Sequence, residues 1–400
     1  MKIGIDIRLI GKQRTGDEVV FFNLVKNLAR IATNHKFELL TDIADEKILR
    51  EINERLGIEE KDNFKLVALA APHLSGVPDI LSQREKIIGK IFNNRFVWNF
   101  WTLPKYLRVS PVDIYLTQYI TPFFVPRKIK IVTIIHDISF NFFLQFIKFA
   151  DLFFLRILIP MSLKRADKIV AVSQFTKNEI IKFYKTAPAK VDYIYNAVGE
   201  DFLTKQISEA EKEKVREKYQ LPEKFILYLG TLQPRKNIPQ LLEAFARIKD
   251  DLVDVKLVIG GNLKAHNADG RIIKAVEKFQ LERDVFLPGF IDEQDKVALF
   301  SLAKVFVFPS LYEGFGIPPL EAMSQGVPVL CSRIESLQEV VAEGALFFEP
   351  NDVADFAKKL LEISLNQELR AQLIAVGKTR ASFFAWEKTA SEMLAVFEKM

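Results

Sequence analysis

Two glutamates eight residues apart, Glu313 and Glu321, bracket the segment EGFGIPPLE. An apolar run ending at Pro309 reads as a strand that leads into them. Gly314 and Gly316 let the backbone approach a ligand closely, and Pro318 and Pro319 preset the start of a helix. The N–H groups and positive dipole end of such a helix suit an anion such as a diphosphate, and a carboxylate on each side of the loop can accept hydrogen bonds from sugar or ribose hydroxyls. The same glutamates could instead do no more than complement the helix N-terminus. A second segment, GTLQPRKN (Gly230–Asn237), leaves one strand and enters a helix with Arg235 and Lys236 at its mouth. A forked guanidinium and a compact ammonium aimed at a departing diphosphate would stabilise the charge that grows on it. A third, IVTIIHDISF, ends a strand at His136–Asp137.

These residues need elements to hold them, and the chain supplies two similar series. In the first, a β-branched run Lys2–Ile10, a loop containing Gly11 and Gly16, and an apolar helical pattern Val19–Ile31 form a strand, loop and helix. Further strands read at Phe37–Leu40, Lys65–Leu69, Val112–Leu116, Lys130–Ile135 and Lys168–Val172. A charge-dense stretch between Asn196 and Phe225 reads as a linker with a short solvated helix. The pattern then restarts, with strands at Phe225–Leu229, Val255–Ile259, Val285–Leu287, Val305–Pro309 and Val329–Cys331. Strands separated by helices imply parallel sheets covered on both faces. The expectation is an α/β chain of two doubly wound domains, residues 1–200 and 201–385. The amphipathic last helix, 386–400, is able to pack on either, including back on the first.

Composition narrows the class. At 400 residues the chain exceeds what one core usually supports, and its 27 % charged residues without biased tracts exclude a disordered or fibrous protein. The lone Cys331 cannot form an internal disulfide, and the charged N-terminus MKIGIDIRLI lacks the apolar run of a signal peptide. A cytoplasmic protein is expected, with no apolar run long enough to span a bilayer. His35, His73, His136 and His266 lack ligand spacing and no D-x-D occurs, so no metal is expected. Absence of G-x-x-x-x-G-K-[ST] argues against a P-loop nucleotidase. The net charge of +5 is uneven: residues 1–200 hold 30 Lys and Arg against 21 Asp and Glu, whereas residues 201–400 hold 26 against 30.

The frame EGFG-x-P-x-x-EAM-x-x-G-x-PV resembles retaining glycosyltransferases of family 4, nearly residue for residue. The resemblance covers most of the chain and implies the GT-B fold, two Rossmann-like domains facing a central cleft. It implies that Glu313 contacts the transferred sugar and Glu321 the ribose of the sugar nucleotide. The backbone of Gly314, Phe315, Gly316 and Ile317 then faces the sugar and diphosphate. Arg235 and Lys236 become the cation pair on the diphosphate, beside Gly230. Many members carry the arginine directly after that glycine, where this chain has Thr231. His136 would lie near an outer hydroxyl of the donor sugar, with Asp137 orienting the imidazole or the acceptor. In LPGFIDEQD, Gly289 and Phe290 would meet the base. VSQFTKNEI and YNAV resemble further family segments. Gly16 is the candidate for close approach to the diphosphate, although family members commonly have a glycine-rich run here. Asp17 and Glu18 stand in its place and could bind acceptor hydroxyls or cap the following helix.

The activity so implied is retaining, metal-independent transfer of a hexose, of mannose or glucose type, from a nucleotide diphosphate sugar to a glycan or lipid-linked acceptor hydroxyl. The resemblance is to bacterial mannosyltransferase-type polysaccharide and glycolipid enzymes. GDP-mannose leads a UDP-hexose as expected donor, with no other cofactor. An epimerase or phosphorylase on the same fold, or a catalytically silent sugar-nucleotide binding protein, are the competing readings. The basic, aromatic stretch Arg84–Arg108 is either an ordinary core-facing helix or a patch for an anionic membrane surface, with Trp98, Phe100 and Trp101 at the interface. No nucleic-acid module is visible in it. On the membrane reading, the enzyme would be peripheral on the inner face of the membrane.

Overall fold

The structure is a computed structural model that describes residues 1–12, 16–69, 97–143, 149–265 and 267–400, the side chains of 149–151, 153 and 154 excepted. His73, His266 and residues 84–96 of the basic, aromatic stretch lie outside the described residues.

Seven strands form the first sheet: β1 (Lys2–Asp6), β2 (Lys36–Thr41), β3 (Phe64–Ala68), β4 (Ile114–Gln118), β5 (Lys130–Ile135), β6 (Lys168–Ala171) and β7 (Val191–Tyr193). Their order is 3-2-1-4-5-6-7, and every pairing is parallel. The strands are apolar in nearly continuous runs, because helices cover both faces: Ile3, Ile5, Leu39, Leu40, Ile131 and Ile135 are all buried. β1 ends at Asp6, short of Ile10. The Asp6 carboxylate accepts the Arg8 backbone N–H at 3.2 Å and its guanidinium at 2.7 Å, and the Ile10 N–H turns back to the Ile7 carbonyl. These local bonds divert the chain from the ladder.

The second sheet contains β8 (Lys224–Leu229), β9 (Val255–Gly260), β10 (Val285–Gly289), β11 (Val305–Phe308), β12 (Val329–Ser332) and β13 (Ala345–Phe348), in the order 10-9-8-11-12-13. It too is parallel throughout. β7 and β13, the edge strands that the sequence reading omits, have three and four residues, too few to set a pattern. The stretch read as a linker holds two helices, Glu200–Thr204 and Glu209–Tyr219. The second opens on a capping box between Ser208 and Glu211 and buries Val215.

By internal contacts the chain divides into two units. One comprises Met1–Ile138, Phe149–Tyr195 and Trp386–Met400, and the other Ser139–Lys148 and Asn196–Ala385. The last helix, Trp386–Glu398, therefore belongs with the first sheet. It packs on the helix Gly16–Ile31, and Thr389 donates to the Tyr195 carbonyl at 2.8 Å.

Of the basic, aromatic stretch, Trp98 is a core residue, 3 % exposed, with the Arg8 guanidinium 4.5 Å from its ring centre. It is not available to an interface. Phe100 is half-buried and stacks on Phe123, whereas Trp101 is 45 % exposed. No helix among the described residues is long and apolar enough to cross a membrane.

Candidate functional site

Strand order places the principal site. The second sheet is wound outward in both directions from β8 and β11, which are hydrogen-bonded neighbours. The helices that follow them diverge, so the loops leaving their carboxyl ends bound a crevice, the usual ligand site of such a sheet. The loop after β8 carries Arg235 and Lys236, and the loop after β11 carries Glu313. Residues distant in sequence meet there. Lys236 Nζ donates to Glu313 Oε1, and Arg235 Nη1 donates to Glu313 Oε2 at 3.1 Å and to the Tyr312 carbonyl at 2.9 Å. A further bond, from the Leu311 N–H to the Arg235 carbonyl at 2.8 Å, sews the two loops together. Lys236 is held by a short 3₁₀ turn, Pro234–Lys236, that ends on Asn237 in the left-handed region at φ 57°. Its ammonium stands 5.0 Å from the Phe308 ring centre.

Electrostatics separate the two glutamates. Both are 7 % exposed. Burial alone would raise the Glu313 carboxyl, but Lys236 and Arg235 outweigh it and hold the group down at about 2. For Glu321 burial prevails. Burial pushes it up to about 7, the Lys296 charge opposing and the Glu293 charge reinforcing the rise. Glu313 is thus a fixed anion, and Glu321 titrates near neutrality.

Between them, Gly316 adopts φ 100° and caps the helix Ile317–Ser324. Pro318 and Pro319 have no N–H and the Leu320 N–H is the first to bond within the helix, so the capping Gly316 and Ile317 carry the N–H groups of its opening turn. The Phe315 side chain is buried against Phe384, the ring centres 5.6 Å apart. Glycines finish the neighbouring strands. The Gly230 N–H donates to the Gly260 carbonyl at 3.1 Å, and the Gly261 N–H to the Gly289 carbonyl at 2.8 Å. A Cβ on Gly261 would stand 2.4 Å from the Gly230 carbonyl oxygen, so only glycine permits this approach. Gly289 turns at φ 81° and leads to Phe290, whose ring is 54 % exposed.

The remaining candidates lie in the first unit. His136 follows β5, is 8 % exposed, and shares a 2.8 Å hydrogen bond between Nε2 and Gln118 Oε1. Its ring lies 5.5 Å from that of Tyr119 and 6.3 Å from Phe21. Gln118 and Tyr119 are functional candidates that the sequence reading misses. A polar residue closing an apolar strand was the signal for the first, and only the fold shows the second, at φ 55°. Asp137 is half-buried. Gly16, Asp17 and Glu18 form the first turn of the helix Gly16–Ile31, where the acids complement the helix dipole. Glu18 is 1 % exposed, Asp17 half-exposed, and Gly16 has open space where a Cβ would stand. Ser173 proves to be a helix cap, accepting from the Thr176 N–H.

Two parallel Rossmann-like sheets, the second with a cation pair and carboxylate at its switch point, define a GT-B protein. Comparison with known proteins agrees. The family model described as Glycosyltransferase Family 4 matches residues 15–202, and Glycosyl transferases group 1 matches residues 210–380. The chain is similar to the O-antigen chain mannosyltransferase B of Escherichia coli, 32 % identical over 69 % of this chain and 72 % of that one. It is also similar to the serotype-specific mannosyltransferase WbdA of Escherichia coli, 35 % identical over 59 % of this chain. There the chain spans 29 % of the relative's length. Among solved structures, Anabaena Alr3699/HepE in complex with UDP and glucose matches all of both chains with a TM-score of 0.72 at 16 % identity. The chain belongs to glycosyltransferase family 4.

Proposed function

We propose that this protein transfers a hexose, of mannose or glucose type, from a nucleotide diphosphate sugar to an acceptor hydroxyl, with retention at the anomeric carbon and without a metal. The observation that carries the reading is the meeting of Lys236, Arg235 and Glu313 at the switch point of the second sheet. The bond from the anomeric carbon to the diphosphate breaks, and its electron pair leaves with the phosphate. Arg235 and Lys236 hold the growing negative charge. Glu313, ionised throughout the physiological range, accepts from sugar hydroxyls and faces the oxocarbenium-like sugar. The acceptor oxygen bonds to that carbon on the face the phosphate left, and its proton passes to the leaving phosphate. Glu321 accepts from the ribose and Phe290 meets the base, with no protein nucleophile.

The named relatives that act on mannose and on the O-antigen support bacterial cell-surface polysaccharide or glycolipid synthesis, with GDP-mannose ahead of a UDP-hexose. The acceptor side includes a membrane surface. Trp101, Lys105, Arg108 and Val109 are the exposed positions along residues 101–109, and Arg108 donates at 3.0 Å to the carbonyl of Phe124, itself 69 % exposed. Arg127 and Lys128 follow on the surface. Aromatic rings among cations suit anionic lipid.

The deciding experiment incubates the protein with GDP-mannose or UDP-glucose and a panel of glycan and lipid-linked acceptors. It measures released nucleoside diphosphate and reads the product's anomeric configuration by NMR. Transfer with retention is expected. Inversion, or full activity in Lys236→Met, would overturn the reading.

A further inference from the structure

The charge-dense helix Glu209–Tyr219 belongs to the second unit. Its last two residues grip the turn that leaves β10. Lys218 Nζ donates to Asp292 Oδ2 at 2.7 Å and to Asp295 Oδ2 at 2.6 Å. The Tyr219 hydroxyl donates to Asp295 Oδ2 at 2.8 Å and accepts the Asp292 backbone N–H at 3.0 Å. One hydroxyl thus satisfies both ends of the turn Glu293–Asp295, and one ammonium bridges the carboxylates that flank and close it.

The donor site lies on both sides of that turn. Before it come Gly289 and the exposed ring of Phe290. Within and after it come Glu293 and Lys296, ion-paired at 2.7 Å, whose charges act on the buried Glu321. We propose that Lys218 and Tyr219 are positioning residues for the donor nucleotide, setting the placement of Phe290 and the field at Glu321 through Asp292 and Asp295. This rests on the function proposed above, which puts the base at Phe290 and the ribose at Glu321. Held in place before binding, the turn does not have to be ordered by the ligand, and affinity gains accordingly. Freed, it samples orientations that bind less well, while the cations on the diphosphate stay where β8 puts them.

The test uses the full chain and four variants: Tyr219→Phe, Lys218→Met, Lys218→Arg and Asp295→Asn. Calorimetry with UDP and with GDP, and steady-state kinetics with the matching donor sugar, are read together. Tyr219→Phe and Lys218→Met are expected to weaken nucleotide Kd and raise donor KM in parallel by about three- to tenfold, with kcat within about twofold, and Lys218→Arg to restore most of the loss. Hydrogen exchange of amides 289–296 reads the same device without any ligand, and should quicken in Tyr219→Phe and Asp295→Asn. Unchanged exchange overturns the grip on the turn. Quickened exchange with unchanged Kd and KM, or a fall in kcat alone, overturns the positioning role. A wild-type chain that binds neither UDP nor GDP overturns the functional reading on which the proposal rests.

Discussion

Glu313 and Glu321 are equally buried and eight residues apart, yet their carboxyl groups are driven in opposite directions. The cause is which neighbours burial brings. Two cations converge on Glu313, so removing its charge leaves Lys236 and Arg235 without their shared partner. Glu313→Gln and Lys236→Met are each expected to lower kcat by about 10²–10³-fold, the usual cost of one group aimed at transition-state charge. Single-turnover rates with saturating donor check this. For Glu321 the sign runs the other way from the common carboxylate. Its folded value, about 7, lies above the ordinary 4.5. The folded chain therefore holds a proton that the unfolded chain has lost between those values, and stability falls as pH rises through that window. Glu321→Gln should stabilise the protein at pH 8 relative to pH 5, by at most a few kcal/mol at ~1.4 kcal/mol per pKa unit. On the function proposed above Glu321 meets the ribose as a carboxylate, so nucleotide affinity in the wild type should rise as pH passes from about 6 to 8, and Glu321→Gln should flatten that rise. Unfolding midpoints and calorimetric Kd values across pH measure both. The sequence showed the spacing of this pair and the chemistry open to it. It could not show that one was a permanent anion and the other poised near neutrality, because Lys236 reaches Glu313 from 77 residues away.

At the scale of elements, close strand ends and surface stripes make separate demands. The approach of Gly261 to the Gly230 carbonyl leaves no room for a methyl, and a backbone oxygen cannot rotate aside. Gly261→Ala should cost about 1–3 kcal/mol of stability and weaken donor binding, measured by thermal unfolding with and without nucleotide. In the first unit, the exposed stripe from Trp101 to Arg108 predicts co-sedimentation with vesicles containing phosphatidylglycerol at low salt. Trp101→Ser with Phe124→Ser should abolish most of it, and binding should fall as salt rises. No sedimentation of the wild type would count against the stripe. The alternation of strands was legible because fully buried parallel strands are written as apolar runs. The course of residues 97–109 was not. A run of aromatics carries no label for which ring faces the core, and only the fold set Trp98 in a buried cluster with Leu40, Leu107 and Tyr115, its ring beside the Arg8 guanidinium. For the same reason the helix Glu209–Tyr219 reads as wholly solvated, since Lys218 and Tyr219 find their partners in a loop more than seventy positions away.

For the whole molecule, the last helix returns to the first sheet although the second unit precedes it in sequence. Trp386, Ala390, Met393 and Phe397 are buried by that return. Removing residues 386–400 should expose this face and strip about 1.5–3 kcal/mol per large side chain from the first unit. Calorimetry should then show the first unit melting at lower temperature, with faster hydrogen exchange in the helix Gly16–Ile31 and little change in β8 to β13. Equal protection in both chains would show that the helix adds nothing to that core.

What the sequence determined by itself was the class of chain: apolar runs alternating with helical periods specify two parallel sheets, and local spacing marks the strand-to-helix loops that carry Glu313, Arg235 and Lys236. Such information is short-range, carried by side-chain period, glycine and proline. Tertiary structure alone decided the ionic state of each glutamate, the inward place of Trp98, the hold of Lys218 and Tyr219 on the turn beside Phe290, and the packing of the last helix. Each depends on groups brought together from distant positions, and burial sets the strength of charge and the reach of a hydrogen bond only once the fold has assembled them.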